Sequence, residues 1–206
     1  MVIFETKASG MKAKSITNRL PLHGAIHANN FGLSRGLWVL WDSNKVEVSE
    51  LSSTEQEIHS MVKDLSLGVF WLLTIVYASP RFAERHLLWD NLALVANLHD
   101  LPWVIVGDFN KVLNVEEKFG GLVVDLHWAL RFQDFLNYCR MIDLGFSGPE
   151  FTWSNNQPLT HLIQERIDRV FVNPAWNELY LEACVKHLER SHFDYCPVIL
   201  SLHQEA

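Results

Sequence analysis

The sequence is poor in cysteine, in positive charge and in long hydrophobic runs. Its three cysteines, Cys139, Cys184 and Cys196, are odd in number, and their spacing matches neither a zinc site nor a disulfide framework. We therefore expect reduced, structural thiols. With 17 Lys and Arg against 24 Asp and Glu, the net charge of -7 excludes a global positive field that would attract a polyanion, so any contact with nucleic acid must be local.

The N-terminal apolar stretch is only four residues long, too short for the core of a signal peptide or for a membrane span. We therefore expect an intracellular protein, nuclear or cytoplasmic, with no membrane contact. The hydrophobic content of 49% in 206 residues is enough for one sizeable core, and no repeat or low-complexity segment interrupts it. A single domain over residues 1–206 is the expectation.

Short apolar runs alternate with amphipathic stretches along the chain. Strands are predicted at 37–41 and 46–51, paired across a turn at 42–44, and at 71–77, 104–110, 151–155, 167–173, 184–187 and 197–202. Helices are predicted over 81–98 and 128–139, and a further one begins at Pro174. Because some strands are direct neighbours and others are separated by helices, the pattern indicates a mixed α/β fold.

The stretch VIVGDFN at 104–110 runs from a buried strand into glycine, a carboxylate and an amide. Glycine permits a sharp exit from the strand. An aspartate can bind a hard cation or take a proton from water, and an asparagine can donate to a phosphate oxygen. The alternation of side chains would put Asp108 and Asn110 on one side of an extended segment. An Asx turn that caps the strand is the alternative.

Three further carboxylates lie beside apolar runs: Glu5 in IFETK, Asp168 in IDRVFVN and Asp194 in SHFDYCPV. Alternation puts Arg166 and Asp168 on one face and Arg169 on the other, so Asp168 is a candidate buried, orienting carboxylate, with a surface ion pair as the alternative. A strand-tip turn ended by proline explains Asp194 equally well. Together with the Asp108 segment, these make four polar strand ends, which could meet at one edge of the sheets and form a single site, as in other sheet-based sites.

Seven segments, in order, resemble the endonuclease/exonuclease/phosphatase family, the DNase I-like fold, and most closely the endonuclease-like domain of plant LINE-type (non-LTR) retrotransposon polyproteins. They are ETK at 5–7, GLWVLW at 36–41, VYASP at 76–80, GDFN at 107–110, EKFGG at 117–121, FTWSN at 151–155 and RIDRVFVN at 166–173. The resemblance implies an α/β four-layer sandwich, two mixed β-sheets flanked by helices. It also implies Mg²⁺ or Mn²⁺ as cofactor, nucleic acid, DNA in particular, as partner, and a monomer.

By this resemblance Glu5 corresponds to the metal-binding glutamate, Asp108 to the aspartate that orients or deprotonates the attacking water, and Asn110 to the amide that contacts the scissile phosphate. Tyr77 matches a tyrosine near that phosphate, although an aromatic residue that completes the core would look the same. Asp168 matches the aspartate that orients a catalytic histidine.

Two departures from the family pattern bear on activity. The terminal S-D-H-x-P motif reads FDYCP at 193–197, so Asp194 remains but Tyr195 replaces the histidine. A neutral phenol cannot supply the charge of an imidazolium, and such a loss typically costs roughly 10²- to 10⁴-fold in rate. His192, two residues before Asp194, is interpreted as an exposed loop residue.

The second departure is at the N-terminus. By the resemblance, the family's first strand, with its asparagine ligand, is missing ahead of Glu5, so the domain is expected to be N-terminally truncated.

Two groups of residues are candidate substrate contacts. Arg35, with Lys7, Lys12 and Lys14, could contact backbone phosphates, although a solvated surface charge explains each of them singly. Trp153 lies in the segment that borders the substrate groove in relatives and could stack on a base, with core packing as the alternative.

Taken together, the residues and the resemblance predict a divalent-metal-dependent phosphodiester hydrolase similar to a retrotransposon DNA endonuclease. The alternative is a catalytically degenerate, element-derived remnant that keeps the fold and at most weak metal or nucleic-acid binding. A third hypothesis, an interaction module, rests only on aromatic residues expected at the surface.

Overall fold

The computed structural model describes residues 1–4, 6, 8, 10–28, 37–124, 126–190 and 193–203. The chain divides into two compact units, Met1–Tyr77 and Ala78–Ala206, and each is described by itself. The expected single domain over residues 1–206 stays a prediction. Over the described ranges, no helix has the length and apolar character needed to cross a bilayer.

The first unit is built mainly of antiparallel strands. Its elements are β1 (Val2–Ile3), α1 (Gly10–Thr17), β2 (Gly24–Ala28), β3 (Leu37–Trp41), β4 (Val46–Ser53), β5 (Glu57–Asp64) and β6 (Phe70–Tyr77). Strand β3 lies between β1 and β2, and strand β5 lies between β4 and β6. Four of the five residues of β3 are buried, as expected for a central strand.

The predicted pairing of the strands at 37–41 and 46–51 is wrong. The turn itself forms, because Oδ1 of Asp42 accepts the N–H of Asn44 at 3.0 Å. Strand β3, however, is already bonded on both edges by β1 and β2, so β4 pairs with β5 instead. A turn signal between two apolar runs therefore does not make them a hairpin when one of them is central in its own sheet.

The second unit combines helices with three groups of antiparallel paired strands. Its elements are α2 (Phe82–Leu98), β7 (Trp103–Asp108), β8 (Lys118–Phe119), α3 (Leu126–Tyr138), β9 (Ile142–Asp143), β10 (Trp153–Ser154), β11 (Gln164–Glu165), β12 (Asp168–Val172), α4 (Pro174–Leu179), β13 (Cys184–His187) and β14 (Val198–Ser201). Strand β12 pairs antiparallel with β7 and β9, strand β11 with β10 and β8, and β13 with β14. Short 3₁₀ helices lie at Val115–Glu117 and Leu159–His161.

An aromatic cluster packs α2 and α3 of this unit onto β7 and β12. The ring of Phe109 lies 5.2 Å from that of Phe132 on α3 and 5.1 Å from that of Phe171 on β12, and Trp89 on α2 stacks on Phe132 at 4.9 Å. These three phenylalanines are at most 1% exposed. Because aromatic burial contributes strongly to core stability, this packing fixes the turn that follows β7.

The predicted mixed α/β class, with several sheets and helices, is confirmed. Both long helices form close to their predicted bounds, and most predicted strands are present. Strands β5 and β2 and helix α1 were not predicted.

Candidate active site

Strand β7 ends in a tight turn that carries Asp108 and Asn110. Gly107 has φ +148° and Asn110 has φ +47°, conformations that glycine and asparagine adopt most readily. The N–H of Asn110 donates to Oδ1 of Asp108 at 2.7 Å, which makes the segment an Asx turn. Of the two interpretations of this segment, the Asx turn that caps the strand is therefore confirmed, because the chain turns directly after Asp108 and the carboxylate itself holds the turn.

Further hydrogen bonds and a buried cation fix this turn. Nδ2 of Asn110 donates to the carbonyl of Ala78 at 2.7 Å, and the N–H of Ala78 donates to the carbonyl of Asp108 at 2.8 Å. Arg85, from the first turns of α2, is 8% exposed and donates to the carbonyl of Ser79 at 2.7 Å. Burial lowers the pKa of Arg85, and the negative charge of Asp108 opposes that shift. Sequence reasoning missed Arg85, although a cation amid an apolar helix face was a signal.

Asp168 is the second buried carboxyl group of the site. It begins β12 directly opposite Asp108 in the antiparallel pairing of β12 with β7. Its backbone N–H donates to Oγ1 of Thr152 at 3.1 Å, and the Thr152 hydroxyl hydrogen-bonds the Asp168 side chain. Oδ2 of Asp168 is buried and has no hydrogen-bond partner among the described residues. Burial raises the pKa of Asp168 to about 7, so this carboxyl group holds a proton well above the usual range for aspartate.

Tyr195 stands where the resemblance expects a histidine, and its hydroxyl donates to Oδ2 of Asp108 at 3.2 Å. The residue forms an isolated antiparallel bridge with Trp153. Both side chains pack against a buried apolar cluster made of Val112, Val124 and Ile167. Tyr195 is therefore held by apolar packing within this unit, and its hydroxyl contacts the candidate catalytic aspartate directly.

The remaining predicted site residues have surroundings of their own or fall outside the described residues. Asp194 is exposed, and its carbonyl accepts the N–H of Ser154 at 2.9 Å. Trp153 is half-buried on the apolar cluster, which favours the packing interpretation. Tyr77 is half-buried at the end of β6 in the first unit, with its ring 5.9 Å from that of Phe4. The predictions for Glu5, Lys7, Arg35 and His192 fall outside the described residues.

Two arginines next to Asp168 form a buried ionic cluster rather than a surface pair. Arg166 donates to Glu117 at 3.1 Å and to Asp143 at 2.9 Å, and Arg169 donates to Asp143 at 2.8 Å and also to Glu117. The side chain of Arg169 is fully buried. Each acid thus holds both arginines, and we call these four residues the ionic clamp.

The predicted alternation around Asp168 is wrong for the arginines. Strand β12 begins only at Asp168, so Arg166 lies before it and is not constrained by strand alternation. Arg166 and Arg169 consequently reach the same two carboxylates. Sequence reasoning missed those partners, because Glu117 and Asp143 lie far away along the chain, in the 3₁₀ helix before β8 and in β9.

The chemistry of the described site suits a hard cation, although no cluster of ligands is complete there. Within the described residues, no three or more His, Cys, Asp or Glu side chains are grouped to hold a metal ion. Asp108, Asn110 and Asp168 offer carboxylate and amide oxygens, the ligands that Mg²⁺ and Mn²⁺ prefer, and Oδ2 of Asp168 is an orphaned buried acceptor. The donor set is therefore compatible with a divalent cation.

Comparison with known proteins gives a family match over most of the chain. Residues 5–185 match the Endonuclease/Exonuclease/phosphatase family. No curated protein sequence matches the chain.

Several solved structures resemble the chain closely in fold but weakly in sequence. The endonuclease domain of TRAS1, a telomere-specific non-LTR retrotransposon, is 13% identical, with 89% of this chain and 81% of that chain covered and a TM-score of 0.68. The human Nocturnin catalytic domain with bound sulfate anion is 12% identical, with 97% and 80% covered and a TM-score of 0.58.

A third similar structure is D. rerio TDP2 complexed with single strand DNA product. It is 12% identical, with 95% of this chain and 80% of that chain covered and a TM-score of 0.54. At such identities the likeness shows the fold, and the expected DNase I-like fold is confirmed.

Proposed function

Because the chain belongs to the endonuclease/exonuclease/phosphatase family, we propose that it is a divalent-metal-dependent phosphodiester hydrolase that nicks DNA. The observation that carries the proposal is the end of β7, where Asp108 lies directly opposite Asp168 and accepts the N–H of Asn110 in a tight turn. Carboxylates and amides held rigidly in a partly dry site can position water and phosphate before reaction, which is how phosphoryl transfer is usually catalysed.

Each residue of the turn has a separate proposed task. Asp108 orients the attacking water and accepts its proton through a carboxylate oxygen. Asn110 donates to a non-bridging phosphate oxygen, because its Nδ2 carries two N–H groups and Ala78 takes one of them. Asp168 orients the side chain at position 195. Tyr77, Asp194, Arg35 and Trp153 stay proposed contributors to the site, through the family resemblance alone.

A divalent cation, Mg²⁺ or Mn²⁺, would be held by Glu5, as the family resemblance implies. Bound there, it would neutralise charge that develops on the phosphate oxygens. The tasks assigned to Asp108 and Asn110 concern water and phosphate alone and do not depend on a particular geometry of the cation.

DNA is the proposed substrate because of what the similar structures are. One is the endonuclease domain of a retrotransposon and another is a complex with a single-strand DNA product. The net charge of -7 means that attraction of DNA would come from local cations rather than from the whole surface. We propose that the chain acts on DNA as a monomer.

A second candidate function, a catalytically degenerate remnant, is favoured by one specific contact. The Tyr195 hydroxyl donates to Asp108 at the position where the resemblance expects an imidazole. A phenol there occupies an oxygen of the proposed base and brings no positive charge to the phosphate. The remnant would keep the fold and at most weak affinity for metal or nucleic acid.

The deciding experiment is nicking of supercoiled plasmid by the purified chain with Mg²⁺, followed on agarose gels. We expect nicking by the unmodified chain and a rate roughly 10²- to 10⁴-fold lower for Asp108→Asn, which keeps the shape of the side chain but removes its basicity. Asp134→Asn, at an exposed position of α3, is the matched control and should nick normally.

The variant Tyr195→His separates the two candidates. Nicking that appears only with this substitution, and disappears again in Tyr195→His with Asp108→Asn, would establish the remnant and refute the active hydrolase. Equal background from the unmodified chain and from Asp108→Asn would also refute the hydrolase.

A further inference from the structure

An open, polar cavity of about 490 Å³ lies beside β10 and β11 in the second unit. The described residues that line it include no carboxylate. Besides the apolar Leu162, they comprise a cation, a hydroxyl, three amides and an aromatic ring, contributed by Arg190, Ser154, Asn156, Gln157, Gln164 and Phe193. A cavity lined by donors and lacking acidic groups favours an anion over a cation as its ligand.

The guanidinium group of Arg190 has an unsatisfied hydrogen-bond donor. Its Nη1 is buried and has no hydrogen-bond partner in the described part of the chain. A buried, charged N–H without an acceptor is costly, and hydrogen bonds to charged groups are among the strongest that proteins make. The planar fork of a guanidinium matches two oxygens of a phosphate, so the missing acceptor is best supplied by a phosphate group.

The backbone that carries two of the lining amides, those of Asn156 and Gln157, is held in place before any ligand binds. Asn155, between β10 and the cavity loop, accepts the N–H groups of Ile163 at 2.9 Å and Gln157 at 3.3 Å, and donates to the carbonyl of His161 at 2.9 Å. Asn156 has φ +52° and donates its N–H to Oγ of Ser154 at 3.1 Å. Such preorganisation lowers the entropic cost of binding.

Phe193 adds a second kind of contact. Its side chain is 71% exposed although it lines the cavity that also holds the cation. A single exposed apolar residue is ordinary by itself. A ring next to a phosphate-binding cation, however, is the arrangement with which proteins hold single strands, because every base can stack on an aromatic face.

The cavity is joined to the candidate active site by two adjacent main-chain contacts. The N–H of Ser154, which lines the cavity, donates to the carbonyl of Asp194 at 2.9 Å, and Trp153 bridges to Tyr195. The hydroxyl of Tyr195 in turn reaches Asp108. A strand whose phosphate lay at Asp108 would therefore have its neighbouring nucleotides close to this cavity.

We propose that Arg190 and the surrounding amides bind a backbone phosphate of a DNA strand next to the scissile bond, with a base stacked on Phe193. This inference rests on the proposed function, because it takes DNA as the substrate. It goes further in assigning a flanking subsite, and it predicts that the subsite prefers a single-stranded segment, whose bases are free to stack.

The test measures binding without cleavage. The full chain is titrated in EDTA into a fluorescein-labelled oligothymidylate, and the dissociation constant is followed by fluorescence anisotropy at several salt concentrations. We expect Arg190→Gln to weaken binding roughly tenfold or more and to reduce the salt slope by about one. Arg140→Gln makes the same charge change at an exposed arginine outside the cavity and should have little effect.

Two further variants keep the result interpretable. Arg190→Lys, which keeps the charge but not the fork, should lie between the unmodified chain and Arg190→Gln, and circular dichroism spectra and melting curves check that each variant is folded. Phe193→Ala should weaken binding of the oligonucleotide but not of inorganic phosphate, which is measured by competition. Equal loss of both ligands would overturn the stacking assignment and leave a site for free phosphate.

The outcomes separate this inference from the proposed function. Equal effects of Arg190→Gln and Arg140→Gln, or no measurable binding by the unmodified chain, would overturn the subsite. If the unmodified chain nicks plasmid through Asp108 while Arg190→Gln binds normally, the hydrolase stands and the subsite falls. If the unmodified chain fails to nick plasmid while its DNA binding still depends on Arg190 and Phe193, the subsite stands and the proposed hydrolase falls. The chain would then bind DNA without cleaving it.

Discussion

The hydroxyl of Tyr195 donates a hydrogen bond of 3.2 Å to Oδ2 of Asp108. This contact links Tyr195, which departs from the pattern expected by resemblance, to Asp108, which is proposed as the catalytic base. Tyr195 is also packed on an apolar cluster, so its position is set by the core and not by Asp108 alone. Tyr195 is therefore held both by the apolar packing and by the hydrogen bond to Asp108.

Removal of the Tyr195 hydroxyl should destabilise the fold. We expect Tyr195→Phe to lower the free energy of unfolding by about 1–2 kcal/mol, because the buried Asp108 loses a donor. The control is Tyr138→Phe, which removes a hydroxyl bonded to Asn97 at an exposed position and should cost less than about 0.5 kcal/mol. Urea unfolding curves measure both. Equal costs would show that the contact with Asp108 has no net stabilising effect.

The protonation of Asp168 should make stability depend on pH. Burial raises its pKa from 3.8 to about 7, so the folded chain retains a proton that the unfolded chain releases near pH 4. The free energy of unfolding should then fall as pH rises from about 4 to 7 and level off above, by an amount on the order of a few kcal/mol. Asp168→Asn, which cannot ionise, should remove this slope.

Thermal unfolding at pH 5 and pH 8 measures the effect. Relative to the unmodified chain, Asp168→Asn should be more stable at pH 8 than at pH 5, whereas the exposed control Asp134→Asn should show no such difference. A parallel shift of Asp168→Asn at both pH values would mean that Asp168 ionises normally in the fold.

The ionic clamp should be sensitive to loss of either acid. We expect Glu117→Gln to destabilise the fold by roughly 3–5 kcal/mol, because Arg166 and Arg169 would remain buried with one carboxylate fewer. The neighbouring Glu116 is exposed, and Glu116→Gln should change stability by less than about 0.5 kcal/mol. Chemical denaturation distinguishes the two variants, and a Glu117→Gln chain as stable as Glu116→Gln would contradict a structural role for the clamp.

Gly120 should not tolerate a side chain. It has φ +68°, and a Cβ atom there would lie 2.1 Å from the carbonyl oxygen of Leu162. We expect Gly120→Ala to cost roughly 2–4 kcal/mol, from the left-handed backbone and the clash together. Gly145 has φ +66° with open space around it, so Gly145→Ala should cost only about 1 kcal/mol. Melting temperatures compare the pair, and equal shifts would show that the loop moves away from Leu162 freely.

The sequence was most informative where local chemistry decides the structure. The GDFN turn, the two long helices and the burial of Asp168 follow from glycine, apolar periodicity and a carboxylate at a strand end. Strand β5 escaped prediction because its buried residues include the polar His59, which finds Thr74 on β6 at 2.9 Å. A buried polar side chain with a distant partner looks like a surface residue in the sequence.

Long-range partners explain the other failures. The acids of the ionic clamp and the amides around Arg190 come from segments far apart along the chain, so no spacing rule connects them. The pairing of β3 with β1 and β2 likewise depends on which edges are already occupied. These features are properties of the assembled sheets.

The ionic clamp also affects what a recognisable motif means. Because the arginines of RIDRVFVN hold the 3₁₀ helix before β8 and strand β9 together, selection for folding alone would retain them even in a chain that cleaves nothing. Position 195 differs, since the tyrosine there contacts the proposed base, Asp108, as well as the apolar cluster. A match to the arginine segment is therefore evidence for the fold alone, whereas the residue at position 195 bears on the proposed activity.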